Sequence, residues 1–207
     1  MPLSYCNVMS SAAKKLPEQM TTVEFLRWEG DDTDAKYELV DGELVAMSPA
    51  TATHGRIQAN LAFLLSRHLE HTRCSVITEA AVVPRVAADT NTRVPDLAVT
   101  CSPDIPGEIG ITDPVVVIEI LSAGNKSKTW SNVWAYASIP SVREILILSS
   151  WSIEAQLLRR GTDGSWPERA EMISADGSVT LSSLDMTLLL RDAYAKTFLV
   201  AQGERRS

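Results

Sequence analysis

The run PVVVIEIL, Pro114–Leu121, constrains the fold more than any other segment. It is nearly all β-branched and apolar, with no alternation of polar and apolar positions, so it predicts a strand in mid-sheet with both faces covered. A layer of helix or further chain must then lie on each side. One carboxylate, Glu119, interrupts the run near its far end. An ionised carboxylate is seldom buried without a charge partner or a metal, so this position calls for a chemical explanation.

The remaining segments supply the layers. MTTVEFLRWE, from Met20, carries a capping-box pattern in Thr21 and Glu24 and predicts a short helix that brings Val23, Leu26 and Trp28 together. Tyr37–Met47 places Asp41-Gly42 between two apolar runs, a strong hairpin signal. Ile57, Leu61, Leu64, Leu65 and Leu69 recur at helical spacing and predict the longest helix, Thr53 to Glu70. Strands follow at 75–86, 95–100 and 114–121, then a helix over 128–138 and strands at 143–149, 151–160 and 171–174, with a short helix at 188–194. This order predicts an α+β (α/β) domain built on a mixed sheet flanked by helices, spanning 20–197 between tails at 1–19 and 198–207.

With 207 residues the chain suits one core. No apolar stretch approaches the roughly 20 residues of a membrane-spanning helix, and the N-terminus lacks a basic leader before an apolar run, so the expectation is a cytoplasmic protein. Cys6, Cys74 and Cys101 are odd in number and without CxxC spacing, which argues for free thiols rather than a disulfide framework or a zinc site. The net charge of -7 offers no global attraction to nucleic acid or anionic membranes. More than half of that excess, -4, falls in residues 1–60.

Asp96 opens the short strand PDLAVT, and Glu119 lies near the end of the central strand. If the two strands are antiparallel neighbours, both carboxylates meet at one edge of the sheet. They then need a cation. Mg²⁺ takes oxygen ligands and one or two carboxylates and completes its shell with water and phosphate oxygens, which suits phosphodiester hydrolysis. Glu38, in the hairpin, offers a third carboxylate. The alternative is a structural ion pair, with Arg93 or Arg85 as partner, or solvent-facing strand ends.

The segments YELVDGELVAMSP (37–49) followed by His54, VPDLAV (94–99), VVVIEILS (115–122) and YASIPSVREILIL (136–148) resemble the Uma-two family of restriction endonucleases, a branch of the PD-(D/E)XK nuclease superfamily. The resemblance runs from about residue 20 to 195. It implies a restriction-endonuclease-like core, metal-dependent DNA cleavage with Mg²⁺ or Mn²⁺, and a homodimer. Position by position it assigns metal-site carboxylates to Glu38, Asp96 and Glu119 and a histidine to His54. The superfamily lysine, two residues after the glutamate, is here Leu121, and the branch's helical Asp and Lys fall on Lys128 and Asn132. Lys126 and Lys128 are therefore the candidate catalytic cations.

His54 and Arg56, at the start of the long helix, are candidate substrate contacts, while Trp130, Trp134 and Tyr136 at helical spacing predict packing. The function expected is a DNA endonuclease with weak, salt-sensitive DNA affinity. The alternative is a nuclease fold that has lost its chemistry and serves as a dimeric interaction module.

Overall fold

In the computed structural model residues 16–122 and 126–204 are described, with the backbone alone for 126–129 and 202–204. Helix α1, Thr22–Leu26, starts at the expected capping box: Thr21 accepts from the Glu24 amide, and Glu24 accepts from the Thr21 amide at 2.8 Å. It is shorter than its apolar content suggests. Val23 is exposed, and the inward residue is Thr22, whose hydroxyl donates to the Ala88 carbonyl at 2.7 Å.

Strands β1, Tyr37–Val40, and β2, Glu43–Ala46, form the predicted hairpin. Its turn residues Asp41 and Gly42 both adopt positive φ, 51° and 86°, as the two-residue turn that matches strand twist requires. An antiparallel bridge from Leu39 to Thr92 and a contact of the buried Arg93 guanidinium with the Leu39 carbonyl fasten this hairpin to the domain. Arg93 is thereby committed to the backbone.

Helix α2, Ala52–Leu69, follows, with Ile57, Leu61, Leu65 and Leu69 buried along one face. Strands β3 (Ser75–Thr78), β4 (Leu97–Thr100) and β5 (Pro114–Leu121) come next, then helix α3 (Lys126–Ala137) and strands β6 (Glu144–Ser149), β7 (Glu154–Arg159) and β8 (Glu171–Ser174). These six strands form one mixed sheet in the order β3-β4-β5-β6-β7-β8, parallel only between β5 and β6. The central position expected of Pro114–Leu121 follows from its pattern. Val116, Ile118 and Ile120 pack on the α2 side, and Val117 and Leu121 pack with Val133 and Tyr136 of α3 on the other.

The structure corrects the sequence reading at several points. The expected strand 75–86 stops at Thr78 because Glu79 turns into the left-handed region at φ 51°. A hairpin of β9, Ser178–Leu181, and β10, Met186–Leu189, was not expected; it buries Val179, Leu181, Met186 and Leu188 in the α2-side core. After α4, Leu190–Ala193, the segment read as a tail forms α5, Phe198–Glu204, and Leu199 joins that core. Cys74 and Cys101 are not free thiols but a disulfide. The register that pairs Ser75 with Thr100 sets the two cysteines opposite each other one step further along β3 and β4, which an odd cysteine count does not reveal. Cys6 lies outside the described residues.

Candidate active site

Strand register brings the first two carboxylates together. Antiparallel β4 and β5 pair Leu97 with Ile118, so Asp96 and Glu119 face each other at the next step on the same side of the sheet. Asp96 is anchored at both oxygens: Oδ2 accepts from the Ile120 amide at 2.6 Å, and Oδ1 lies 3.2 Å from His54 Nε2. Glu119 Oε1 accepts from the Tyr136 hydroxyl at 2.6 Å.

The hairpin delivers the third. Glu38 on β1 is buried, and its Oε1 accepts from the Val94 amide at 3.1 Å and from Asn132 Nδ2 at 3.0 Å. Asn132 and Tyr136 stand one turn apart on α3, the spacing that puts both on one helix face. One helix therefore supplies neutral donors to two carboxylates. Tyr136 is completely buried; burial pushes its hydroxyl pKa well above the ordinary value, and the charges of Glu119, Glu38 and Asp96 push the same way. It acts as a permanent hydrogen-bond donor.

His54 lies just inside α2, whose N-cap Thr51 accepts from the His54 amide at 3.2 Å. Burial lowers the imidazole pKa, but the Asp96 carboxylate, the Ile120 backbone and the more distant Glu79 outweigh it, so the net shift is upward. Its Nδ1 is buried and makes no hydrogen bond to a described residue.

Glu38, His54, Asp96 and Glu119 all line one cavity of about 490 Å³, together with Asp34, Lys36, Glu79 and Asn132 among others. Arg56 is exposed, its guanidinium donates to the Ala52 carbonyl of its own helix, and it is not among the described residues that line the cavity. Lys126 and Lys128 begin α3, and their side chains lie outside the described residues. Of the aromatic residues read as packing, Tyr136 is buried but also bonds Glu119, and Trp134 is exposed. Lys36 and Glu79, which form an ion pair at the cavity, were not anticipated. The signal for Lys36 is its place two residues before Glu38, where strand periodicity gives both the same face.

The donor set is chemically suited to a hard divalent cation, since Glu38, Asp96 and Glu119 offer only oxygen. Among the described residues, however, no three His, Cys, Asp or Glu side chains are grouped closely enough to hold an ion as they stand. Asp96 Oδ1 is engaged by His54, so binding there would require the imidazole to give way.

Residues 22–188 match the Uma2 family, described as "Putative restriction endonuclease". The chain belongs to this family. A curated relative, an uncharacterized protein of Synechocystis, is 29% identical over 150 residues, which is 72% of this chain and 78% of the relative. The fold is also that of a crystal structure from Anabaena variabilis, described as a "putative nuclease", with a TM-score of 0.67, 18% identity, and coverage of 85% of this chain and 98% of that one. The Uma2 assignment and this likeness agree with the restriction-endonuclease-like core that the family resemblance implies. Among the described residues no helix is long and apolar enough to cross a membrane.

Proposed function

We propose that this Uma2 protein is a metal-dependent endonuclease that hydrolyses DNA phosphodiester bonds, working as a homodimer. The observation that carries the reading is the convergence of Glu38, Asp96 and Glu119, from three separate places in the sheet and hairpin, on a single cavity. In this reading Asp96 and Glu119 hold Mg²⁺ or Mn²⁺, and Glu38 assists at the metal or its water. A bound Mg²⁺ would supply Lewis-acid stabilisation of phosphoryl charge and a more acidic water.

The protein's own groups do the rest. Asn132 and Tyr136 fix the carboxylate oxygens that they bond, so that the site loses little freedom when substrate arrives. His54 orients Asp96 and contacts substrate or water through its ring. Lys126 or Lys128, at the start of α3, stabilises charge on the phosphoryl group, and Arg56 contacts the DNA backbone outside the cavity.

The test is nicking of supercoiled plasmid by purified protein with Mg²⁺ or Mn²⁺, compared with Asp96→Ala and Glu119→Ala. Cleavage should require the cation and vanish in both variants. Cutting that survives in Asp96→Ala sinks the assignment. Size-exclusion chromatography with light scattering tests the homodimer.

A further inference from the structure

Lys36 is the only Lys or Arg among the described residues that line the cavity, where it stands against the carboxylates of Asp34, Glu38, Glu79, Asp96 and Glu119. Its position is fixed by the hairpin. The Lys36 carbonyl accepts from the Met47 amide at 2.8 Å, extending the β1–β2 ladder by one step. Because side chains alternate along a strand, Lys36 and Glu38 emerge on the same face. The Lys36 side chain is 62% exposed, so its ammonium sits at the rim and not among the buried carboxylates.

Its counter-ion is Glu79. That carboxylate is held in place by several neighbours. Gln58 Nε2 donates to Glu79 Oε1 at 3.3 Å and to the Asp96 carbonyl at 3.0 Å, and the Glu79 amide also donates to that carbonyl at 3.2 Å. Glu79 occupies φ 51°, a conformation that costs a non-glycine residue free energy and that tends to persist where the surroundings impose it. The Lys36 hydrogen bond, with lesser help from Gln58, holds the Glu79 carboxyl below its ordinary pKa despite partial burial, so it is ionised at neutral pH. A backbone-strained, ionised glutamate thus parks a lysine at the mouth of an acidic cavity.

We infer that Lys36 is a substrate-binding residue that contacts phosphodiester oxygens of nucleic acid entering the cavity, and that Glu79 is the counter-ion the phosphate displaces. The inference rests on the proposed nuclease reading and adds to it the group that brings phosphate to the rim. An exposed Lys–Glu pair contributes little to stability, so exchanging the carboxylate for a phosphate oxygen opposes binding only weakly. The arrangement also gives Glu79 a definite role. It competes with the nucleic acid for Lys36 and thereby limits how tightly DNA is held.

Fluorescence anisotropy of the full chain with a labelled DNA duplex, titrated over a range of salt with Ca²⁺ present, tests this. Lys36→Met should weaken binding about fivefold, and the slope of log K against log salt should fall by about 0.9, the signature of one lost phosphate contact. Lys36→Arg should restore most of the affinity. Glu79→Gln should tighten binding, and most of that gain should disappear in the double variant, because Glu79 acts on the DNA chiefly as the counter-ion of Lys36. Thermal melts confirm that each variant is folded, and a Lys36→Met effect not rescued by Lys36→Arg counts against the inference. Unchanged affinity and salt slope in Lys36→Met, with wild type binding DNA, overturns this inference but leaves the nuclease reading. Absence of DNA binding by wild type overturns both.

Discussion

The Tyr136 hydroxyl donates to Glu119 Oε1 at 2.6 Å, linking the face of α3 to the far end of the central strand. The tyrosine is wholly buried and the glutamate nearly so. A donor to a buried carboxylate does two things: it fixes the direction of an acidic group, and it removes part of the cost of burying its charge.

Tyr136→Phe keeps the ring and deletes only that donor. Hydrogen bonds to charged groups contribute about 1.5–3 kcal/mol, and the carboxylate left behind loses a partner inside the protein. Urea denaturation should therefore show a loss of stability in that range with an unchanged m-value. A loss below about 0.5 kcal/mol would mean that Glu119 finds an equal partner elsewhere.

Asn132→Leu makes the companion test at Glu38. It removes the Nδ2 donor at 3.0 Å but leaves the Val94 amide at 3.1 Å in place. The effect on stability should be smaller than that of Tyr136→Phe, since Glu38 Oε1 keeps the Val94 amide. Plasmid nicking should fall while the fold persists. Wild-type nicking by Asn132→Leu would show that orientation of Glu38 from α3 is not needed.

Much of this was legible in the sequence because it is local. The uninterrupted apolar pattern of Pro114–Leu121 fixed its central place, the Asp41-Gly42 pair specified its turn, and the Asp96–Glu119 juxtaposition follows once the two strands are antiparallel neighbours. What was missed depends on register or on contacts between distant segments. Cys74 and Cys101 meet through a pairing 27 residues apart in sequence. Tyr136 reads as an ordinary core aromatic unless Glu119 is known to lie opposite. The β9–β10 hairpin has the expected alternation of buried residues, but it turns through Asp185 at φ 50° with no glycine to mark it.

The hairpin turn is testable at Gly42. Its φ of 86° is strained for any residue with a Cβ, and a Cβ there would also meet the Met20 carbonyl at 3.5 Å, an ordinary contact. The cost of Gly42→Ala is thus conformational, about 1 kcal/mol, seen as a lower Tm. Because β1 carries Glu38, the variant should also reduce nicking by displacing that carboxylate.

Asp31 sets the other end of the same strand. Its carboxylate accepts from the Thr33 hydroxyl and, at 2.8 Å, from the Tyr37 hydroxyl at the start of β1. The Thr33 hydroxyl does most to lower its pKa; burial opposes this, and Tyr37 adds to the lowering. A carboxyl group whose folded pKa is below its unfolded value stabilises the fold above the unfolded pKa, and the contribution disappears as pH falls through the folded one. Wild type should therefore be more stable than Asp31→Asn near neutrality, with the gap narrowing as pH falls below about 4. A gap that widens on acidification would contradict the assignment.

The disulfide gives the largest expected effect. Cys74 and Cys101 close a loop across 27 residues between edge strand β3 and β4, the strand that Asp96 precedes. In the chain-entropy description, cross-linking a loop of that size removes unfolded-state freedom worth about 3.5 kcal/mol. Cys101→Ser, or incubation of wild type with a dithiol reductant, should lower stability by up to that amount, and the reductant should leave Cys74→Ser/Cys101→Ser unchanged. Alkylation and mass spectrometry of the unfolded, unreduced protein should find both cysteines protected. Since β3 leads directly into Glu79, and Glu79 bonds the Asp96 carbonyl, loss of the link should also raise hydrogen exchange at the Glu79 amide before the central strand β5 is affected. Exchange that rises equally in β5 would mean that the disulfide stabilises the domain as a whole and not the edge that borders the cavity.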